Sequence, residues 1–543
     1  MDYEPDVSQL LGLYQQLEDD IIADMVRRMM RMGFVSETTA YQAEVLQSAG
    51  ILYEDILQMI ADRTDAGVTQ VRALFEDAGV KTVDIDNEAH EDAGEVPVDI
   101  RQDAGMKQVL EAGYRKALGT MRNLVGTTAN TTQTAFLHAC DRAYMQVSSG
   151  AFSYQEAIRM AVRELADGGA YITYPTGHQD RIDVAVRRCI LTGVGQTAAA
   201  VAKKRAEDSG CQYMELTAHG GARPEHARWQ GQLVVISGKR TRKVIDGLKV
   251  FTLEEIGYGD GRGFKGWNCR HNWHPYYPGL STPNYTPEEI AKLDEKSISY
   301  NGEKYTEYEI SQMQRKGERK VRALKRRAAA LDEAAKNTDD PALKQGLNDD
   351  FAAVSVRLKD AEKTLKDFCR QTGRRNDTFR SQVNGFGRST AQRAVHAASE
   401  KKRLTIDWNS GKIDTVVFRK SLQKGYVKTT VEKNKQIKHT YNRQWKNQVK
   451  QAVQSFSNPD PKKRQTPRSV LRKDIDPQEI VDKYGGRGKM ESSSKGDCVN
   501  EFVTLPFVVG KTFEKKKGKY VDTHTVQIKY GPKGVHIFPT YSE

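Results

Sequence analysis

The last segments of the chain carry residue types that could cleave a phosphodiester. THTVQIKY (523–530) and GVHIFP (534–539) flank a turn-forming tetrad, GPKG. With Tyr530 opposite Val535, Lys529 faces His536 across the predicted hairpin. Strand alternation then directs four aliphatic side chains to the core: Val526, Ile528, Val535 and Ile537. The opposite face carries a hydroxyl, an amide, a cation and an imidazole, supplied by Thr525, Gln527, Lys529 and His536.

These groups suit RNA cleavage without a metal ion. That reaction needs a base for the 2′-hydroxyl proton, an acid for the leaving oxygen and a cation beside the non-bridging oxygens. Imidazole can fill both proton roles, and His439 in KQIKH supplies a second ring. We therefore expect His439 and His536 to share the base and acid roles, in an order that the sequence leaves open. Lys435 or Lys529 would stabilise the phosphorane, and Thr525 would position the phosphate. The alternative is that both histidines are ordinary surface residues.

Charge is unevenly divided along the chain. Residues 371–543 hold 36 Lys and Arg against 16 Asp and Glu, a net charge of +20, whereas the whole chain carries +13. Residues 1–370 therefore sum to −7, which is the difference between these two values. Basic modules bind nucleic acid because contact with the phosphates releases counterions. The predicted nucleic-acid contacts are Lys438, Lys529, Arg487 and Lys489. A solubilising basic tail is the alternative interpretation.

The sequence predicts an α+β multidomain protein with a mainly α-helical body. Residues 1–208 read as helical, with an apolar stripe through Leu10, Leu13, Leu17, Ile21 and Met25. Acidic, weakly periodic residues 81–105 suggest an irregular segment inside that region. The other predicted parts are a small loop-rich α+β module (209–286), a helical hairpin (287–372), a basic linker (373–429) and a C-terminal α+β domain (430–543). In the hairpin, two heptad-like stripes flank a turn at 337–341.

The loop-rich module crowds histidine, cysteine and tryptophan together. Cys269, His271 and His274 are weak candidates for a zinc site, with His219 or His226 as a further ligand. In the favoured alternative, the aromatic residues of the module form a small core and the histidines donate hydrogen bonds to loop carbonyls. We therefore expect no metal and no other cofactor. The loops GDGRG and YGGRG match no phosphate-binding motif and are expected to be turns.

Composition also limits the class of protein. No run approaches the ~20 apolar residues of a membrane span, and the acidic N-terminus lacks the features of a signal peptide. The six cysteines lie far apart without a CxxC pair, which argues against a disulfide framework. Synthesis in a cytoplasm is therefore expected.

Motifs in the body resemble a viral family. ARPEHARWQGQ (222–232), GWNCRHNWHPYYPG (266–279) and FCRQTG (368–373), followed by NGFGRS (384–389), are similar to the phage minor capsid protein 2 family. The resemblance extends to about residue 395. It implies a head protein of a tailed bacteriophage that is found in the virion and acts in head assembly, portal contact or DNA ejection. The implied partners are the portal and other head proteins.

The C-terminal region resembles a second family. KQIKHT (435–440), Ser469, Leu471, YGGRG (484–488), Glu501 and IKYGPKGVHIFP (528–539) are similar to the polymorphic toxin type 50 family of ribonuclease-like domains. The resemblance covers about residues 430–543. It implies five active-site residues: Lys435, His439, Thr525, Tyr530 and His536. Gly531 stands where family members have a serine after the last-strand tyrosine, so a hydroxyl role at that position is not expected here. If the domain is toxic, either an immunity protein is a partner or the domain is restrained during assembly.

Together these patterns predict a phage minor head protein that carries a metal-independent endoribonuclease domain, with RNA as its substrate. The alternative is a purely structural head protein whose basic C-terminal domain holds packaged DNA without cutting it. A third possible function is ADP-ribosyl transfer, but the sequence contains no recognisable NAD-binding motif.

Overall fold

The computed structural model describes residues 4–32, 38–409, 412–455, 457–460, 467–514 and 519–541. The chain forms two compact units, Met1–Ala398 and Ser399–Glu543. The first unit is mainly helical with small sheets, and the second is rich in antiparallel strands. The predicted α+β multidomain class is therefore confirmed.

Five long helices open the first unit. They are α1 (Glu4–Met32), α2 (Thr38–Asp92), α3 (Ala104–Ser148), α4 (Tyr154–Gly168) and α5 (Ile182–Asp208), and the short hairpin β1 (Tyr171–Thr173) and β2 (Gln179–Arg181) precedes α5. In α1 the predicted stripe faces the core, because Leu10, Leu17, Ile21 and Met25 are at most 2% exposed. These side chains recur every three or four residues, so one helix face is apolar.

The predicted irregular segment 81–105 is mostly helix. Helix α2 continues to Asp92, and only residues 93–103 lie between it and α3. The inward positions of the last α2 turns include Val83, Asp86 and His90, each at most 1% exposed. Two of these three side chains are polar, so the apolar period that identifies a helix is interrupted in the sequence. Asp103 then caps α3 by accepting from the backbone N–H of Met106 at 2.7 Å.

The loop-rich module contains a five-stranded sheet. Its strands are β3 (Tyr213–Leu216), β4 (Leu233–Val235), β5 (Val244–Ile245), β6 (Leu248–Thr252) and β7 (Trp273–Tyr276), in the order β5-β6-β4-β3-β7. The short helix α6 (Pro287–Leu293) and the hairpin β8 (Ile298–Tyr300) and β9 (Glu303–Tyr305) follow. Trp229, Phe264 and Trp273 are at most 1% exposed and pack in one cluster. An aromatic core therefore supports the long loops of this module.

The predicted helical hairpin is present. Its helices are α7 (Glu307–Lys336) and α8 (Pro341–Thr372), joined by the predicted turn. Thr306 and Glu309 form a capping box at the start of α7, and Asp340 caps α8. The apolar seam is buried, with Leu331, Leu347 and Leu358 fully excluded from solvent.

A buried ion cluster joins α1 to α7. Arg326 forms ion pairs with Glu18 at 2.9 Å and Asp19 at 3.2 Å, and Arg322 forms one with Glu18 at 3.3 Å. Burial raises the pKa of Asp19 to about 7, although the nearby Arg326 opposes that shift. These charges lie among apolar side chains, so each carboxylate depends on its arginine partners.

We expect Arg326→Met to destabilise the first unit by about 3–5 kcal/mol, because Glu18 and Asp19 would stay buried with fewer partners. Urea unfolding of the full chain measures this change. Arg327→Met is the matched control, since Arg327 pairs with Asp167 at 2.5 Å where both side chains are partly exposed. It should cost less than about 1 kcal/mol. Equal losses in the two variants would contradict this account.

The second unit contains two antiparallel sheets. Strands β11 (Lys489–Ser492), β12 (Val499–Thr504), β15 (Thr525–Gly531) and β16 (Gly534–Thr540) form one sheet in the order β11-β12-β15-β16. Strands β10 (Val470–Leu471), β13 (Gly510–Glu514) and β14 (Lys519–Thr523) form the other, in the order β10-β13-β14. The helices in or entering this unit are α9 (Arg388–Leu404), α10 (Thr415–Gln423), α11 (Lys433–Gln436), α12 (Arg443–Ser455) and α13 (Pro477–Tyr484).

The structure differs from the predicted linker over residues 373–429. The second unit begins at Ser399, and Ile413, Phe418 and Val427 belong to its core. The ring of Phe418 packs edge-on against Tyr530, with ring centroids 5.3 Å apart. Basic and glycine residues surround these few apolar positions, so composition alone hides their role in the core. Among the residues described above, no helix has the length and apolarity needed to cross a bilayer.

Candidate functional site

The C-terminal hairpin has the predicted register. Tyr530 pairs with Val535, Lys529 with His536 and Ile528 with Ile537. The four aliphatic side chains predicted to face the core are fully buried: Val526, Ile528, Val535 and Ile537. The sheet face on the other side is polar. We call it the polar face, and its β15 and β16 residues are Thr525, Gln527, Lys529, His536, Phe538 and Thr540.

Pairing across the four strands arranges the polar face in rows. One row runs Glu491, Asn500, Lys529, His536, and the next runs Lys489, Phe502, Gln527, Phe538. Thr525 belongs to a third row, four residues from Lys529 or about 14 Å along the strand. It is 3% exposed and its hydroxyl lies 3.2 Å from that of Thr504. The structure therefore does not bring Thr525 to the His536 row.

His439 reaches the polar face because its segment pairs with the outer edge of β16. The backbone N–H of Glu432 donates to Val535 O at 2.7 Å, and Val535 N–H donates to Thr430 O at 3.0 Å. One turn later, the side-chain amide of Gln436 takes the place of a backbone amide and bonds both backbone groups of Ile537 on β16. Its Nε2 donates to Ile537 O at 2.9 Å, and its Oε1 accepts from Ile537 N–H at 2.8 Å. The edge strand is thus covered by one chain segment and one buried amide.

This pairing sets the position of the second imidazole. A 3-10 turn, Ile437–His439, follows α11 directly. Within it, His439 Nδ1 lies 3.2 Å from Ser469 O, so Nδ1–H donates and Nε2 keeps its lone pair when the ring is neutral. The His439 and His536 ring centroids are 6.1 Å apart and the rings are nearly parallel. The structure therefore brings the two predicted imidazoles together. Phe538 lies 4.7 Å from His439 and 5.7 Å from His536.

Burial and nearby cations lower the pKa of both imidazoles. The pKa of His536 falls to about 4, first through burial and then through His439, Lys435 and Lys529. Burial also lowers the pKa of His439, and its hydrogen bond to Ser469 opposes this. Lys435 is exposed and forms an ion pair with Glu432 at 2.8 Å. His439 and His536 are thus both neutral at pH 7, and the cations around them favour the binding of an anion.

Tyr530 lies on the other side of the sheet. It is fully buried, and its hydroxyl donates to Glu501 at 2.7 Å. Glu501 is also fully buried and accepts from the backbone N–H groups of Gly486 and Gly488. Arg419 donates to the carbonyls of the same two glycines. The catalytic position expected for Tyr530 therefore does not match its place in the core, where it helps hold the loop YGGRG.

The predicted nucleic-acid contacts are spread across the domain. Lys438 is exposed on the turn before His439, and Lys529 lies in the His536 row. Arg487 is exposed in the glycine loop, and Lys489 pairs with Glu491 at 2.8 Å on β11. Since β11 is at the far edge of the sheet, Lys489 is about 14 Å from β16.

Three residues near the imidazoles were absent from the predicted site. Phe538 was detectable, because it stands two residues after His536 and therefore on the same strand face. Glu432 was detectable as a partner three residues before Lys435. Gln436 carries no comparable signal, because its role depends on a strand a hundred residues away.

The zinc candidates divide into two groups. His274 Nδ1 bonds Asp86 at 2.9 Å, in contact with α2. Cys269 and His271 lie together, with Sγ and Nδ1 3.5 Å apart, and His226 joins them. Of the three weak zinc candidates, Cys269 and His271 therefore lie together, and His274 bonds Asp86 instead. All six cysteines are free thiols.

Comparison with known proteins defines the class. Residues 3–370 match the phage minor capsid protein 2 family, and residues 431–539 match the family described as bacterial toxin 50. A structural protein of Lactococcus phage LL-H is 27% identical over 215 residues, which cover 39% of this chain and 54% of that protein. A structural protein of Lactococcus phage mv4 is 37% identical over 81 residues, covering 15% and 57%. No solved structure matches the chain.

The protein is thus a phage structural protein with a C-terminal toxin domain. The chain belongs to the phage minor capsid protein 2 family, whose match covers more than half of it, and is therefore a component of the virion. The chain spans little more than half the length of the two relatives above.

We expect Tyr530→Phe to destabilise the second unit by about 1–3 kcal/mol, because the buried Glu501 loses its hydroxyl donor. Hydrogen exchange of peptides from β12 and β15 in the full chain measures this. The exposed Tyr541→Phe is the control and should change stability by less than about 0.5 kcal/mol. Unchanged exchange in Tyr530→Phe would contradict the assignment of Tyr530 to the core network.

Proposed function

We propose that the second unit is a metal-independent endoribonuclease in which His439 and His536 are the catalytic acid and base. The observation that supports this proposal is the 6.1 Å separation of the His439 and His536 ring centroids at the polar face. Groups at this spacing can reach opposite sides of a single ribose-phosphate linkage. The bacterial toxin 50 match over residues 431–539 agrees with a toxic activity, and the chemistry comes from the geometry.

The proposed reaction is a transesterification. The neutral imidazole accepts the 2′-hydroxyl proton while the 2′-oxygen attacks phosphorus. The bond from phosphorus to the 5′-oxygen breaks, and the protonated imidazole donates its proton to that oxygen. The products are a 2′,3′-cyclic phosphate and a 5′-hydroxyl. Either histidine can start in either role, because each has one nitrogen that can carry the transferred proton.

The surrounding residues would stabilise charge and hold the strand. Lys529 lies opposite His536 and Lys435 lies on α11, so both can approach the charged phosphate oxygens. Phe538 stacks on His439 and can hold its ring in place. Lys438, Arg487 and Lys489 are too spread out to act on one linkage, and we assign them to neighbouring nucleotides. Thr525 is buried and is therefore left out of the proposed RNA contacts.

RNA incubated with the full chain in EDTA should be cut. His439→Gln and His536→Gln should each lower the cleavage rate at least about 100-fold, because each removes a proton-transfer group. His524→Gln is the matched control, since the exposed His524 bonds the carbonyl of Leu505 and has no role in the proposed proton transfers. Product analysis should find cyclic phosphate ends.

One result of the same assay would contradict the nuclease proposal. RNA that binds and stays intact, equally for the wild type and the two histidine variants, would support the alternative in which the basic domain holds packaged nucleic acid. The net charge of +20 over residues 371–543 favours binding in either case.

The pH profile gives a second prediction. Activity needs one protonated and one neutral imidazole, and burial lowers the pKa of both below 6.5. We therefore expect kcat/KM to peak below about pH 6.5. It should fall toward neutral pH as the acid loses its proton, and fall below about pH 4 as the base becomes protonated. Initial rates on a short RNA measure this, and a maximum above about pH 7 would contradict it.

For the first unit, membership in the capsid family implies contact with other head proteins. We propose that this unit acts near the portal in head assembly or DNA ejection. The nuclease would then travel with the genome, and an immunity protein would protect the cell in which virions assemble. Cross-linking of intact virions followed by mass spectrometry tests the portal contact through peptides of this chain.

A further inference from the structure

The loop-rich module of the first unit contains a second cluster of reactive side chains. Single ligand atoms of His226, Cys269 and His271 all lie within 4.8 Å of one another. His226 ends the 3-10 turn Pro224–His226, and the other two residues precede β7. None of the three takes part in the proposed nuclease chemistry. We propose that these three residues bind a zinc ion.

The distance between two of the ligand atoms fits a tetrahedral zinc site. Cys269 Sγ and His271 Nδ1 are 3.5 Å apart. Two ligands at Zn–S of about 2.3 Å and Zn–N of about 2.0 Å in a tetrahedron are also separated by about 3.5 Å. The spacing between these two ligands is thus already that of a loaded site. The ligand atom of His226 lies within 4.8 Å of the other two, so it would move closer when a metal ion binds.

The hydrogen bonds of the two imidazoles present the same nitrogen for binding. His226 Nε2 lies 2.8 Å from Arg262 O, and His271 Nε2 lies 2.9 Å from Gln230 Oε1. Each Nε2–H therefore donates to an oxygen, and each Nδ1 carries a lone pair. Metal-bound histidines typically donate their other N–H to a carbonyl or carboxylate in this way, which fixes the ring and its tautomer.

The acceptor Gln230 is itself held in place. It is 1% exposed, and its Oε1 also accepts from the backbone N–H of His219 at 3.0 Å. A buried amide fixed by two donors orients His271 without taking up the ring nitrogen that faces Cys269. Gln230 is therefore a positioning residue for the proposed site.

The aromatic core explains the burial of these residues, but it does not explain the third donor. Trp229 packs 4.6 Å from both His226 and His271, which suits histidines in an apolar cluster. Such packing does not require the thiol of Cys269 to lie beside the unprotonated Nδ1 of His271. A soft thiolate with two imidazoles is a ligand set that selects zinc among the common divalent ions.

The site can also be reached from solvent. His226, Cys269 and His271 line a cavity of about 390 Å³. Lys265 and several arginines line the same cavity, so an anion or a water molecule is the expected fourth ligand. The three protein ligands leave that coordination position open.

Metal analysis of the full chain tests the proposal. Protein purified from zinc-supplemented medium and dialysed should contain about one zinc per chain. Replacement by Co²⁺ should give a near-ultraviolet thiolate-to-cobalt band, which Cys269→Ser should abolish. Gln230→Leu should keep the band and weaken zinc binding about 10–100-fold. The matched controls are Cys211→Ser, at a buried cysteine that bonds the carbonyl of Tyr213, and His274→Gln.

Two results would overturn the proposal. One is wild-type protein that holds no stoichiometric zinc and gives no cobalt band on titration, a result that does not depend on any variant folding. The other is a cobalt band that survives in Cys269→Ser and disappears in Cys211→Ser. Neither measurement involves RNA cleavage, so the zinc proposal is tested independently of the nuclease proposal.

Discussion

The candidate site depends on how the outer edge of β16 is covered. An uncovered edge strand leaves a row of unpaired backbone groups that could pair with another chain. Here residues 430–432 pair with β16, and the side chain of Gln436 bonds both backbone groups of Ile537. The turn Ile437–His439 follows Gln436 directly. His439 therefore stands 6.1 Å from His536 because the chain just before it is fixed to the same strand.

A second polar network supports the sheet from the core side. Glu501 is fully buried and accepts from Tyr530 and from two backbone N–H groups of the glycine loop. A buried carboxylate is stable only when such donors compensate for the lost water. The network therefore fixes the loop to β12 and β15, and β15 is the strand next to β16. The same sheet thus has a catalytic candidate on one face and a structural carboxylate on the other.

The sequence predicted the parts of the site that local rules control. The register of the last hairpin followed from the turn tetrad and strand alternation, and both are local properties. Alternation from Lys529 also assigns Tyr530 to the core face, which the family resemblance alone did not reveal. The approach of His439 was an expectation about two distant segments. It could not be derived, because the Gln436 contact joins residues that no periodicity links.

The fold shows the same division between local and long-range information. The hairpin α7–α8 was predictable from its apolar period and its proline turn. The end of α2 was not, because Asp86 and His90 occupy inward positions where a partner on another element compensates them. The predicted linker 373–429 is wrong over residues 399–429, because Phe418 and its neighbours are isolated among charged residues in the sequence and yet fill the core of the second unit.

The most direct measurement is the NMR response of the histidine rings in the full chain to a short RNA with a 2′-deoxy substitution at the cleavage position. Such an analogue can bind and cannot be cut. The account predicts that the ring signals of His439 and His536 shift together, and that both pKa values rise because the bound phosphate is negative. The signal of His524 should stay in place. Binding of the analogue without a change at either His439 or His536 would contradict the account.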